Sequence, residues 1–158
     1  MALLNPGDKF PELTVQLPAG RSLTLPDETV GHYGVVLIYR GSWCPYCNAQ
    51  LASFQRAKEK LAAVDTRVVA LSVDDEATTA ELVAKHRLEF PVGYGADAAE
   101  VAAVTGAFVN PDPVYLQSTG FVLARDGKVV VSVYSSGAIG RLVPADVIGL
   151  VEYLAAHA

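Results

Sequence analysis

The hydrophobic positions fall into two kinds of pattern. Val35-Val36-Leu37-Ile38-Tyr39 is an unbroken apolar run of strand length, as expected for a strand buried on both faces. Gly34 ends the loop before it, and Arg40-Gly41-Ser42 makes a tight turn after it. Leu51, Phe54, Ala57, Leu61 and Val64 then recur at steps of three and four, which predicts one helix with one apolar face beginning near Cys44. Pro45 suits its first position, where a missing N–H costs nothing. Arg67 to Val73 predicts a second buried strand, closed by Asp74-Asp75, with a helix from about Thr78 to His86 after it.

The rest of the chain is read in the same way. Phe90-Pro91-Val92 predicts a short extended segment, because Pro91 turns Phe90 away from helix. Ala98 to Thr105 predicts a short helix stopped by Gly106. Asn110-Pro111-Asp112-Pro113 predicts a rigid loop. Phe121 to Ala124 and Lys128 to Tyr134 flank Asp126-Gly127, a hairpin signal. Pro144 opens a last helix to about His157. Near the start, Thr14-Val15-Gln16-Leu17 alternates as a short strand, with Ser22 to Leu25 as its candidate partner. Strand, helix, strand, helix, hairpin, helix is an α/β order. The first half makes a right-handed βαβ unit, and the hairpin adds antiparallel strands. The expectation is a thioredoxin-like fold, a central mixed sheet with helices on both faces. With no repeat or composition shift, residues 1–158 read as a single domain.

Composition narrows the function classes. At 51% hydrophobic and 18% charged, the chain is globular rather than disordered. Its 12 basic and 17 acidic residues are scattered, and no basic patch exists to meet a phosphate backbone, so no nucleic-acid partner is expected. No apolar run is long enough to span a bilayer, so no membrane partner is expected either. The N-terminal Met1-Ala2-Leu3-Leu4-Asn5-Pro6 lacks the basic and apolar regions of a signal peptide, which makes the cytoplasm the default location. There, two cysteines are more often catalytic or metal-binding than structural.

Those cysteines stand in Trp43-Cys44-Pro45-Tyr46-Cys47, between the end of a buried strand and the start of a helix. Sites in open α/β sheets lie beyond the carboxyl ends of the strands. A helix N-terminus offers orphan N–H groups and partial positive charge, both of which favour thiolate. The spacing brings both sulfurs onto one turn, so they can close a disulfide and form a reversible two-electron couple. Arg40 is the nearest cation in sequence and a candidate stabiliser of a thiolate or a peroxide. The histidines are poor partners. His32 lies before the strand, roughly 16 Å away at about 3.3 Å per residue, His86 ends a helix and His157 is in the tail. Blander readings stand beside these. The pair could be half of a zinc site completed by another subunit, or an inert disulfide. Trp43 reads as packing or docking, and Tyr46 as tuning of the redox potential. Arg40 could be a solvated turn residue. Asp74-Asp75-Glu76 has metal-ligand chemistry but is more often a solvated loop and helix start.

Several segments resemble the alkyl hydroperoxide reductase/thiol-specific antioxidant family, the peroxiredoxin-like branch of the thioredoxin superfamily. They are Pro6-Gly7-Asp8-Lys9-Phe10-Pro11-Glu12-Leu13, Val35 to Tyr39, Lys85-His86-Arg87-Leu88-Glu89-Phe90-Pro91-Val92 and Phe121 to Lys128, in the family's order. The motif departs from the family pattern. The family's Pro-x-x-x-Thr-x-x-Cys places its cysteine at Cys47, its threonine at Cys44 and its proline at Arg40. The arginine that the family carries before the hairpin is missing from Gln117-Ser118-Thr119-Gly120. Thioredoxins in turn have a cis-proline where this chain has Thr119-Gly120, and an acid in the strand that is here Val35 to Ile38. By likeness to thioredoxins, Cys44 is the exposed attacking thiolate and Cys47 resolves. By likeness to peroxiredoxins, Cys47 meets the peroxide, forms a sulfenic acid and is resolved by Cys44.

The resemblance implies a thiol-dependent peroxidase reducing hydroperoxides through a Cys44–Cys47 couple. Alternatives are a general thiol-disulfide oxidoreductase acting on disulfide substrates, and a redox-sensing binding module. A thioredoxin or a small thiol would serve as electron donor, and a homodimer is compatible with such folds. No nucleotide or flavin fingerprint is present, so no cofactor is expected, and no metal.

Overall fold

The computed structural model describes residues 3–158, so Met1 and Ala2 of the N-terminal segment lie outside the described residues. The central sheet has five strands: β3 (Tyr33–Ile38), β4 (Thr66–Leu71), β5 (Val92–Gly93), β8 (Thr119–Leu123) and β9 (Val129–Tyr134). Their order is β5-β4-β3-β8-β9. β3 pairs parallel with β4, and β4 with β5, while β3–β8 and β8–β9 are antiparallel. The sheet is therefore mixed, as expected. A separate hairpin joins β1 (Leu13–Leu17) to β2 (Arg21–Leu25), confirming the pairing suggested by their alternation. A second joins β6 (Val109–Pro111) to β7 (Val114–Leu116), so the segment expected as a rigid loop, Asn110 to Pro113, is the end of β6 and a tight turn at Asp112-Pro113.

β3 is buried along its whole length, and its residues divide by the two-residue strand period. Val36 and Ile38 face a core built with β1, β2 and helix α4 (Ala98–Thr105). Val35 and Leu37, with Tyr39 just beyond the strand, face a second core that takes in the remaining helices. These are α1 (Pro45–Arg56), α2 (Lys58–Ala63), α3 (Glu76–His86) and α5 (Pro144–Ala156). Helices thus lie on both faces, with one face shared between α4 and the β1–β2 hairpin. Gly34 lies inside β3 rather than ending a loop. A Cβ there would come within 2.7 Å of the Thr29 hydroxyl, so the strand has to be bare at this point.

The single helix expected from Cys44 to Val64 is divided at Ala57, which caps α1 and starts α2. Leu51, Phe54 and Leu61 still share one buried face across the break, which is why the periodicity gave no sign of it. The strand expected over Arg67 to Val73 runs from Thr66 to Leu71, the final helix stops at Ala156, and α3 starts at Glu76 with Asp75 as its cap. Asp75 Oδ1 accepts the Thr78 N–H at 2.8 Å. Among the described residues, no helix is long and apolar enough to cross a membrane.

Candidate active site

Cys44 and Cys47 lie beyond the carboxyl end of β3, where the chain turns into α1. Pro45 occupies the first helical turn and Cys44 is the N-cap, with its sulfur accepting the Cys47 N–H at 3.3 Å. A cysteine thus does the work usually given to serine or aspartate at a helix start. Both cysteines are fully buried. The exposed Cys44 that likeness to thioredoxins implied is therefore not found.

The loop ahead of Cys44 is held from several sides. A Cβ on Gly41 would stand 2.2 Å from the Trp43 indole nitrogen, so glycine lets Trp43 fold back over the turn. Trp43 then lies against Tyr115 of β7, ring centroids 4.9 Å apart. The Arg40 guanidinium lies 4.9 Å from the Trp43 ring and 5.2 Å from the Tyr115 ring, within cation–π range. It donates to Gln117 Oε1 and to the Tyr115 hydroxyl, both at 3.0 Å, and reaches the Cys44 sulfur at 3.7 Å. Arg40 is thus fixed at the sulfur and is no freely solvated turn residue. Tyr46 and Trp43 remain half-exposed at the rim, and Pro45 is exposed beside them.

Ser42 is gripped on both backbone groups. Its N–H donates to Asp74 Oδ2 at 2.8 Å, and its carbonyl accepts from Asn48 Nδ2 at 2.8 Å. Asn48 Oδ1 in turn faces His86 Nε2 at 3.2 Å. His86 therefore supports the loop, although it touches neither sulfur. His32 is at the far end of the sheet, as expected, paired with Asp65 at 2.6 Å. The three consecutive acids take separate structural tasks. Asp74 holds Ser42, Asp75 caps α3, and Glu76 accepts the Ala19 N–H.

The residue that sequence reasoning missed is Arg141. Its Nη2 lies 3.3 Å from the Cys47 sulfur, and the Arg40 N–H reaches the same sulfur at 3.3 Å. Gln50, on the turn of α1 after Cys47, accepts Arg141 Nη1 at 2.8 Å and donates to the Leu142 carbonyl at 2.9 Å. Leu142 is seated over Gly120 of β8, where a Cβ would meet its Cδ1 at 2.7 Å. The segment Gln117 to Gly120 indeed carries no arginine, yet it serves the site through Gln117 on Arg40 and Gly120 under Leu142. The cation at Cys47 comes instead from the loop before α5.

The two thiols differ electrostatically. Burial works against ionising Cys44, but the Cys47 thiol, the Cys47 N–H, the Arg40 guanidinium and the positive charge of Arg141 outweigh it. The Cys44 thiol is held below its ordinary range. Burial pushes the Cys47 thiol up, and donating its proton toward Cys44 adds to this. The Arg40 N–H and Arg141 oppose the rise. Of the two thiols, Cys44 is thus the one favoured to ionise first. Beside them, burial pushes the Tyr39 hydroxyl up to about 12, which keeps it neutral.

This site sits in a chain whose residues 6–132 match the AhpC/TSA family model. The chain belongs to the AhpC/TSA family. A peroxiredoxin of Methanothermobacter thermautotrophicus is 31% identical over 144 residues, covering 87% of this chain and 68% of that protein. A peroxiredoxin of Nanoarchaeum equitans is 28% identical over 153 residues, covering 94% of this chain and 68% of its own length. The peroxidoxin BcpB of Mycobacterium tuberculosis superposes with a TM-score of 0.82 at 18% identity, over 96% of this chain and 98% of that one. The family and the thioredoxin fold read from the sequence are both borne out.

Proposed function

We propose that the protein is a thiol-dependent peroxidase in which Cys47 attacks the hydroperoxide and Cys44 resolves it. The observation that supports this reading is the convergence of two N–H donors, from Arg40 and Arg141, on the Cys47 sulfur. Donors so placed can hold a peroxide oxygen against the sulfur and stabilise charge as the O–O bond lengthens.

The chemistry balances within the pair. The Cys47 sulfur attacks the terminal peroxide oxygen while its proton passes to the Cys44 thiolate. The S–O bond forms, the O–O bond breaks, and the leaving alkoxide takes the proton back from Cys44 to give the alcohol. Cys44, a thiolate again, attacks the sulfenic sulfur, and hydroxide leaves as water with a proton from solvent. A thioredoxin or small-thiol donor then returns two electrons to the Cys44–Cys47 disulfide. Such a couple suits a reducing compartment, in keeping with a cytoplasmic protein. Reduced protein should consume hydrogen peroxide catalytically when a thiol donor is supplied and yield the Cys44–Cys47 disulfide by mass spectrometry. Consumption no faster than that of the Cys44→Ser/Cys47→Ser variant would sink the reading.

A second reading is favoured by the N-cap position and lowered pKa of Cys44. Here Cys44 attacks a protein disulfide and Cys47 resolves, as in a general disulfide reductase. Rapid turnover of a protein disulfide, lost in Cys44→Ser, together with sluggish reaction with peroxide, would favour it over the peroxidase.

A further inference from the structure

Arg40 is held at Cys44 by groups that carry no charge. Its Nε donates to Gln117 Oε1 and its Nη2 to the Tyr115 hydroxyl, both at 3.0 Å, which leaves Nη1 for the Cys44 sulfur at 3.7 Å. A carboxylate matches the guanidinium fork better than either acceptor. Yet among the described residues Arg40 makes no ion pair. The consequence is electrostatic. A carboxylate in either place would orient the side chain and also offset its charge at the sulfur. An amide and a phenol orient it and leave the charge to act on Cys44.

The two holding groups come from one anchored strip of chain. Tyr115 lies in β7, opposite Asn110 of β6. The Gln117 N–H donates to the Phe108 carbonyl at 2.8 Å, which carries the hairpin ladder one step further. Residues two apart in an extended segment point the same way. Tyr115 and Gln117 therefore reach Arg40 together, while Leu116 between them is fully buried in the core. Gln117 is itself buried. An unheld arginine side chain spreads over many rotamers in water. The two acceptors confine this one to the arrangement that faces Cys44.

We propose that Tyr115 and Gln117 are positioning residues that set the redox poise of the Cys44–Cys47 couple through Arg40. The proposal rests on that couple, which both readings above share, and not on the choice between their substrates. In the dithiol form the Arg40 charge stabilises the Cys44 thiolate. In the disulfide form Cys44 is neutral, and Arg40 gains nothing from it. The difference favours the dithiol, so the disulfide is easier to reduce than it would be without the two acceptors. Exchange with glutathione reads this poise. The protein dithiol and one glutathione disulfide give the protein disulfide and two glutathione thiols, with two electrons passing from protein to glutathione.

Two variants remove the acceptors with little change in volume: Tyr115→Phe, which keeps the ring, and Gln117→Met. Each is equilibrated with glutathione redox buffers at pH 7, and the oxidised fraction is read by thiol alkylation and mass spectrometry. In each, the equilibrium should shift towards the protein disulfide about fivefold, the scale of one lost hydrogen bond, or about 20 mV in potential. The thiolate titration should move up in pH with it. In an Arg40→Ala background both shifts should vanish, because the two residues act through that side chain. Shifts of equal size with and without Arg40 would overturn the proposal, and so would glutathione equilibria unchanged from wild type. If Gln117→Met does not fold, Tyr115→Phe decides alone. Wild type that forms no Cys44–Cys47 disulfide in any of these buffers would overturn the couple itself, and with it both functional readings and this proposal.

Discussion

The Arg141 guanidinium rests 3.3 Å from the Cys47 sulfur across 94 residues of sequence. Among the described residues it is the one side-chain cation hydrogen-bonded to that sulfur, and it is oriented by Gln50 from the helix that bears the cysteine. Removing it takes away a donor aimed at the reacting atoms. Arg141→Ala should slow oxidation of the reduced protein by peroxide about a hundredfold, the usual cost of one such donor. Arg141→Lys, which keeps charge but loses the planar fork, should recover only part of the rate. Stopped-flow oxidation monitored by Trp43 fluorescence measures both.

Arg40 acts on the other sulfur. With the charge of the pair favoured on Cys44, ultraviolet thiolate absorbance should report a first ionisation below the ordinary cysteine range. Arg40→Ala removes a group that stabilises the thiolate, so the midpoint should move up in pH and alkylation at neutral pH should slow. An unchanged midpoint would show that the helix cap, Cys47 and Arg141 hold the charge without Arg40.

The Ser42 clamp separates position from chemistry. Asp74→Ala leaves the Ser42 N–H without its acceptor and should cost about 1 kcal/mol in stability. Asp74→Asn keeps an oxygen in place and should restore both stability and the pH profile of thiol alkylation. Urea unfolding and alkylation of the two variants side by side measure this.

Much of this architecture could be read from the chain because it is local. The unbroken apolar run at Val35 to Tyr39, the three-and-four spacing from Leu51 to Val64 and the Asp126-Gly127 turn each act through near neighbours. The Cys-x-x-Cys turn was legible for the same reason, since strand, turn and helix cap are contiguous. Arg141 was not: it follows Gly140 in a loop with no periodicity, and only Leu142 over Gly120 and Gln50 on α1 bring it to Cys47. In the sequence His86 reads only as a helix end, and its link to the loop, through Asn48, emerges from the fold. The placing of Arg40 at Cys44 likewise depends on Gln117 and Tyr115, contacts made between distant segments.

Away from the site, Asp65 ties two loops together. His32, then Arg125, hold its carboxyl below the ordinary range. A depressed folded pKa contributes stability above the unfolded value of about 4. That stability is lost as pH falls through the folded value. Wild type should therefore be more stable than Asp65→Asn at neutral pH, and the gap should close on acidification. Urea midpoints across the acid range measure it.

The central claim is that Cys47 meets the peroxide and Cys44 resolves it. The most direct measurement is stopped-flow mixing of hydrogen peroxide with reduced Cys44→Ser and Cys47→Ser variants, followed by dimedone trapping and mass spectrometry. The account expects Cys44→Ser to be oxidised and to carry the trapped sulfenic acid on Cys47, with Cys47→Ser reacting no faster than a free thiol. Rapid oxidation of Cys47→Ser with the label on Cys44 would contradict it and reverse the roles of the two cysteines.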